Sequence, residues 1–110
     1  MEEEGKDCIF CRIVKGKEDT KIVKSTENFI LFQDINPQTS IHLLIVPKAH
    51  IKDISELKDE AWIELKKIVT ILAKEKSLKG YRLTHNAGDA ASIVHLQFHF
   101  MADVATEILL

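Results

Sequence analysis

Residues 94–100 read Val-His-Leu-Gln-Phe-His-Phe, and this strict alternation constrains the fold more than any other feature of the chain. Successive side chains of an extended strand point to opposite faces. One face is then Val94, Leu96, Phe98 and Phe100, and the other is His95, Gln97 and His99. Such a strand must set its apolar face against another layer, and we expect it to span Ile93 to Met101. A half-solvated sheet edge would show the same alternation. Two imidazoles about 7 Å apart with an amide between them, however, also suit a metal ion or an anionic phosphate.

The remaining periodicities predict what covers that strand. Between Lys58 and Lys76 the apolar residues Trp62, Leu65, Ile68, Val69 and Leu72 recur at three- and four-residue steps, so a long amphipathic helix is expected to lie on a sheet. Gly80 is expected to end that region. Asp7 is a candidate N-cap for a short helix over Cys8 to Val14, closing near Gly16. Lys21 to Lys24 and Asn28 to Asp34 read as a hairpin, Ile41 to Val46 as a third strand stopped by Pro47, and Tyr81 to His85 as a fourth. Asp34-Ile35-Asn36-Pro37 between strands is turn chemistry, with the Asp34 side chain able to form an Asx turn. Asn86 to Ser92 is a tight loop of small residues. The expected fold class is α+β, a mainly antiparallel five-stranded sheet with one short N-terminal helix and one long amphipathic helix.

At 110 residues and 45% apolar content the chain is expected to form a single domain over 1–110, with residues 1–6 outside the ordered part. A net charge of −2 with no basic block argues against a nucleic-acid partner. The longest apolar runs, Phe29 to Phe32 and Leu43 to Val46, fall far short of the roughly 20 residues that span a bilayer, so no membrane association is expected. Three glutamates near the start are the opposite of a basic, then apolar, export signal, which makes a reducing cytoplasm the expected location. In that setting the C-x-x-C pair Cys8 and Cys11 reads as half of a metal site or a redox pair, and not as a structural disulfide.

Four separated motifs then agree. Cys8-Ile9-Phe10-Cys11-Arg12-Ile13-Val14, Phe32-Gln33-Asp34-Ile35-Asn36-Pro37-Gln38, His42-Leu43-Leu44-Ile45-Val46-Pro47-Lys48-Ala49-His50-Ile51, and Asn86 followed by the His95–His99 strand together resemble the histidine triad family, in its branch of small nucleotide-binding proteins. The resemblance implies a homodimer that binds a purine nucleoside monophosphate or phosphoramidate and cleaves at the α-phosphorus. It assigns Ile9, Phe10, Ile13 and Phe32 to the base, Asp34 and Ile35 to the ribose, Asn86 and Ser92 to the phosphate and leaving group, and His42 to support of the triad. From composition alone those apolar residues would be called core. The family's middle triad histidine is the nucleophile, and here that position is Gln97.

A glutamine amide nitrogen is delocalised into its carbonyl and is no useful nucleophile, whereas an imidazole nitrogen can form a phosphoryl adduct. Gln97 can still hydrogen-bond a phosphate, and His99 or His95 can still serve as acid or base for slow attack by water. Ala90-Ala91 stand in the phosphate loop where glycine and glutamine are usual, so a Cβ obstructs close backbone approach. The resemblance also groups Cys8, Cys11, His50 and His95 as a tetrahedral zinc set, which with four protein ligands would be structural. Without it, the cysteines would read as buried small hydrophobes and His50 as a loop residue. His85 has no matched role. The apolar tail Ile108-Leu109-Leu110 is expected to pack on a second subunit. Three expectations therefore compete: a nucleotide hydrolase impaired through Gln97, a non-catalytic nucleotide sensor or partner-binding module, and a zinc-stabilised interaction domain without a nucleotide.

Overall fold

The structure is a computed structural model, and it describes residues 8–102. The expectations for residues 1–6, for the Asp7 cap and for the tail Ile108-Leu109-Leu110 lie outside that range. Within it the order is α1 (Ile9–Val14), β1 (Ile22–Ser25), β2 (Phe29–Gln33), β3 (Ile41–Pro47), α2 (Asp59–Glu75), β4 (Tyr81–Thr84) and β5 (Phe98–Ala102). All five strands form one antiparallel sheet in the order β1-β2-β3-β5-β4. The α+β class and the two helices match the expectation.

Alternation divides the sheet into two cores. Phe29, Leu31, Leu43, Ile45, Phe98 and Phe100 face α2, whose Ala61, Leu65, Ile68, Val69 and Leu72 complete that layer. Ile30, Phe32, Leu44 and Val46 face the other way and pack with Phe10 and Ile13 of α1. Lys58 caps α2 with no side-chain hydrogen bond, a loss of about 1 kcal/mol. Each of the four Leu, Ile and Val side chains that α2 buries returns roughly 1.5–3 kcal/mol, so packing decides that this helix forms. Glu64 ties it to the β1–β2 turn by accepting from the Thr26 hydroxyl, the Asn28 backbone N–H at 2.9 Å and the Asn28 side chain at 2.7 Å. Partial burial pushes the Glu64 carboxyl up, but these bonds outweigh it and hold the group below its usual range.

Several boundaries differ from the sequence expectation. Helix α1 starts one residue late because Cys8 itself is the cap, its Sγ accepting from the Cys11 N–H at 3.4 Å. Gly16 follows α1 with φ +75°, as a helix-closing glycine should. Ser77, and not Gly80, carries the left-handed turn after α2, at φ 54°. On α2, Ala61 takes the core position expected for Trp62, which stays 40% exposed with its ring edge against Phe98. The largest correction concerns β5. It begins at Phe98 and not Ile93, and it lies between β3 and β4, so it is no sheet edge. Val94 is 65% exposed and leaves the apolar face assigned to it, while Leu96, Phe98 and Phe100 keep theirs.

Candidate active site and metal cluster

Just before β5 the chain bends so that the Leu96 N–H donates to the Ile51 carbonyl at 2.7 Å. That contact turns His95 and Gln97 to the side of the sheet opposite α2. His95 is 1% exposed, and its Nε2–H donates to the Pro47 carbonyl at 2.9 Å. A carbonyl only accepts, so the proton sits on Nε2 and the Nδ1 lone pair faces away from Pro47. It meets Cys8 Sγ at 3.2 Å, Cys11 Sγ at 3.6 Å and His50 Nδ1 at 3.2 Å, with Cys11 Sγ 3.1 Å from His50 Nδ1. Burial, then the nearby His50, holds His95 below the ordinary imidazole range against the pull of the Pro47 carbonyl.

These four groups could hold a metal ion. A tetrahedral zinc with bonds of about 2.3 Å to sulfur and about 2.05 Å to nitrogen separates its ligands by about 3.3–3.8 Å. The cluster's spacings already approach that, and the Pro47 carbonyl fixes the His95 tautomer a metal requires. Phe10 seals one side, its ring edge-on to His95 with centroids 5.7 Å apart.

Next to the cluster runs a cleft of about 640 Å3, within the range of small-ligand sites. It crosses the sheet. At the β1 end it is lined by Ile9, Phe10, Ile13 and Phe32 with Glu18 and Thr20. At the β5–β4 end it is lined by Gln97, His99, Asn86, Ser92 and Ala91, and Asp34 and Ile35 border the span between. Every residue expected to touch a nucleotide therefore borders one cleft. Ile35 does so while 89% exposed, from a loop and not from the core.

At the imidazole end the hydrogen bonds have a direction. The Gln38 backbone N–H donates to His42 Nδ1 at 3.1 Å, so neutral His42 carries its proton on Nε2. That Nε2–H faces His99 Nδ1 at 2.9 Å, with Asp34 Oδ2 a second acceptor at 3.3 Å. His99 is left with an Nε2–H for the cleft. Asp34, His42 and His99 lie close enough to be ligands of one cation. The Gln38 donor opposes this, because a metal on His42 Nε2 would move the ring proton to Nδ1, against another N–H. Asp34 Oδ1 also accepts the Asn36 N–H at 2.9 Å, which is the Asx turn expected from the sequence. Burial, then His42, lowers His99 below its ordinary range, and Asp34 pulls the other way.

Gln97 corrects one expectation. Its Nε2 donates to the Ile93 and His95 carbonyls, both at 3.3 Å, so its amide hydrogens are engaged by backbone. The carbonyl oxygen is the atom left over, an acceptor suited to water or a hydroxyl and not to a phosphate oxygen. His85 borders neither cluster nor cleft. Its ring lies 5.7 Å from Phe98, and its buried nitrogens find no hydrogen-bond partner among the described residues. Glu18 and Thr20, and the backbone roles of the Gln38 N–H and the Pro47 carbonyl, were not foreseen from the sequence. Backbone groups leave no side-chain signal, and Glu18 and Thr20 sit in a polar connection without periodicity.

The chain is thus an α+β domain with one long helix behind its sheet and a histidine-lined cleft in front. Residues 7–108 match the family described as scavenger mRNA decapping enzyme C-term binding. An uncharacterized HIT-like protein of Methanocaldococcus jannaschii is 35% identical over 86% of this chain and 77% of its own length. An adenosine 5′-monophosphoramidase of Schizosaccharomyces pombe is 32% identical over 86% of this chain and 72% of its own. A bifunctional adenosine 5′-phosphosulfate phosphorylase/adenylylsulfatase of Arabidopsis thaliana is 31% identical over 86% and 69%. Among solved structures, a HIT family hydrolase from Clostridium thermocellum superposes with a TM-score of 0.83 at 32% identity, covering 94% of this chain and 96% of the other. A zinc-bound histidine triad family protein from Mycobacterium smegmatis gives 0.80 at 26% identity, covering 96% and 81%. The chain belongs to the histidine triad (HIT) family.

Proposed function

We propose that this protein binds purine nucleoside monophosphates or phosphoramidates in the cleft, with its inherited hydrolase chemistry impaired because Gln97 holds the nucleophile position. The observation that carries this reading is the polarity of the cleft: an apolar end fit for a base, a carboxylate at Asp34 fit for ribose hydroxyls, and an imidazole end fit for phosphate. The adenosine compounds named for the fission-yeast and Arabidopsis relatives support a nucleotide as ligand. Zinc is the metal we assign to Cys8, Cys11, His50 and His95, supported by the zinc-bound neighbour and by the ligand spacings. It would supply structural anchorage there, since four protein ligands leave no open position. A reducing cytoplasm keeps both thiols available to it.

In this reading Ile9, Phe10, Ile13 and Phe32 enclose the base, Asp34 and Ile35 meet the ribose, and Asn86 and Ser92 meet the phosphate. His99, its Nδ1 held by His42, offers its Nε2–H as a hydrogen-bond donor to the phosphate or leaving group. The engaged Gln97 amide favours a second reading, a nucleotide sensor that binds without turnover.

Turnover of adenosine and guanosine phosphoramidates by wild type and Gln97→His separates the two. The Ile93 and His95 carbonyls that now hold the amide nitrogen would hold a ring N–H in the variant and turn the other nitrogen's lone pair to the cleft. A rate gain of about a hundredfold or more is expected if Gln97 alone limits an otherwise intact site. An inactive variant that still binds GMP or AMP would favour the sensor and assign the loss to the Ala90-Ala91 loop as well. Failure of wild type to bind either nucleotide at millimolar concentration would refute both.

A further inference from the structure

The base end of the cleft contains one charged group. Glu18 lines it beside Ile9, Phe10, Ile13 and Phe32, and its Oε2 accepts from Arg12 Nε at 2.7 Å. A partly exposed salt bridge of this kind adds little to stability. Its geometric effect is larger, because it fixes a carboxylate on a wall of otherwise apolar side chains. From the same connection only Thr20 also lines the cleft, and its hydroxyl can donate or accept and so tolerates any base. The carboxylate can only accept. Guanine presents two adjacent donors on one edge, N1–H and the exocyclic N2–H, which match the two oxygens of a carboxylate. Adenine presents an acceptor, N1, beside a single donor, N6–H, and sets a lone pair against the charge.

We propose that Glu18 reads the edge of the purine and gives the cleft a preference for guanine over adenine nucleotides. This rests on the nucleotide reading above and narrows it. Arg12 positions the carboxylate from α1, in the same short helix as Phe10 and Ile13, which enclose the base.

The test is isothermal titration of GMP, IMP and AMP into wild type, Glu18→Gln and Glu18→Ala, with circular dichroism and melting temperature confirming that each variant folds. Wild type is expected to bind GMP about tenfold more tightly than AMP, the scale of one charge-assisted hydrogen bond. IMP, which keeps N1–H and lacks the N2 amine, should fall between. In Glu18→Ala the preference should vanish. In Glu18→Gln, whose amide both donates and accepts, it should shrink or reverse toward AMP. Equal affinity of wild type for GMP and AMP, or a preference that survives in Glu18→Ala, would overturn the role of Glu18 and leave nucleotide binding intact. No binding of any of the three would instead overturn the nucleotide reading on which it rests.

Discussion

His99 carries a pH dependence whose sign follows from its surroundings. Burial, then His42, holds its imidazole below the ordinary range, with Asp34 opposing. In the unfolded chain the same group titrates near about 6.5. Just below that pH the unfolded state therefore binds more protons than the folded one, and stability is lost as pH falls until the folded-state pKa is also passed. Melting temperature should drop between about pH 7.5 and about pH 5.5, and His99→Gln should make the drop smaller. A drop of unchanged size in His99→Gln would refute this assignment. Alternation in the sequence showed that His95, Gln97 and His99 share a side of the sheet, and the structure agrees. It held no information on which atom of Gln97 faces the cleft. That depends on the Ile93 and His95 carbonyls, which are free to accept only because residues 93–97 leave the strand.

Among the elements, α1 is the one with the least support of its own. It has six residues, far below the length at which a helix persists alone. Phe10 and Ile13 bury one side of it, and the Cys8–Cys11–His50–His95 cluster fastens its first turn to the loop after β3 and to the chain entering β5. If zinc provides that fastening, protein purified without added metal should contain about one zinc per chain. A strong chelator should lower the melting temperature by about 10 °C or more, since each 1 kcal/mol is worth about 4–8 °C at this size. Cys11→Ser should lose the metal and show the lower melting temperature before chelation. Metal-free protein that melts unchanged after chelation would defeat the site. The C-x-x-C spacing allowed a redox pair equally well until the two histidines were known to lie 3.1–3.6 Å from the cysteine sulfurs. Helix α2 was far more legible, because a 17-residue amphipathic pattern repeats its signal at every turn. Only the choice between Ala61 and Trp62 at its start escaped, as both lie near the apolar stripe and size decided which one fits beneath.

For the whole molecule, the two edges of the sheet are unequal, and this bears on the homodimer that we propose from the family resemblance. At one edge, β1 contains Lys24, follows Lys21 and has a register irregularity between Ile22 and Lys24, all of which discourage pairing with another strand. At the other edge, β4 pairs with β5 in unbroken register, and its Tyr81 and Leu83 lie on the same side of the sheet as Phe100, the side α2 packs on, yet stay exposed. Tyr81 stacks on Phe100 with centroids 5.2 Å apart, so this apolar strip is continuous with the α2-side core. A second copy pairing β4 with β4 would extend the sheet across a twofold axis and cover both strips at once. Sedimentation equilibrium should then give twice the 12.5 kDa mass of the chain. Leu83→Lys should shift the mass to that of one chain, while Val23→Lys on β1 should leave the dimer intact. Because β4 leads directly into the loop containing Asn86 and Ser92, the Leu83 variant should also weaken nucleotide binding if pairing steadies that loop. A wild-type mass of one chain at micromolar concentration would refute the dimer, and a dimer lost in Val23→Lys but kept in Leu83→Lys would place it on the opposite edge.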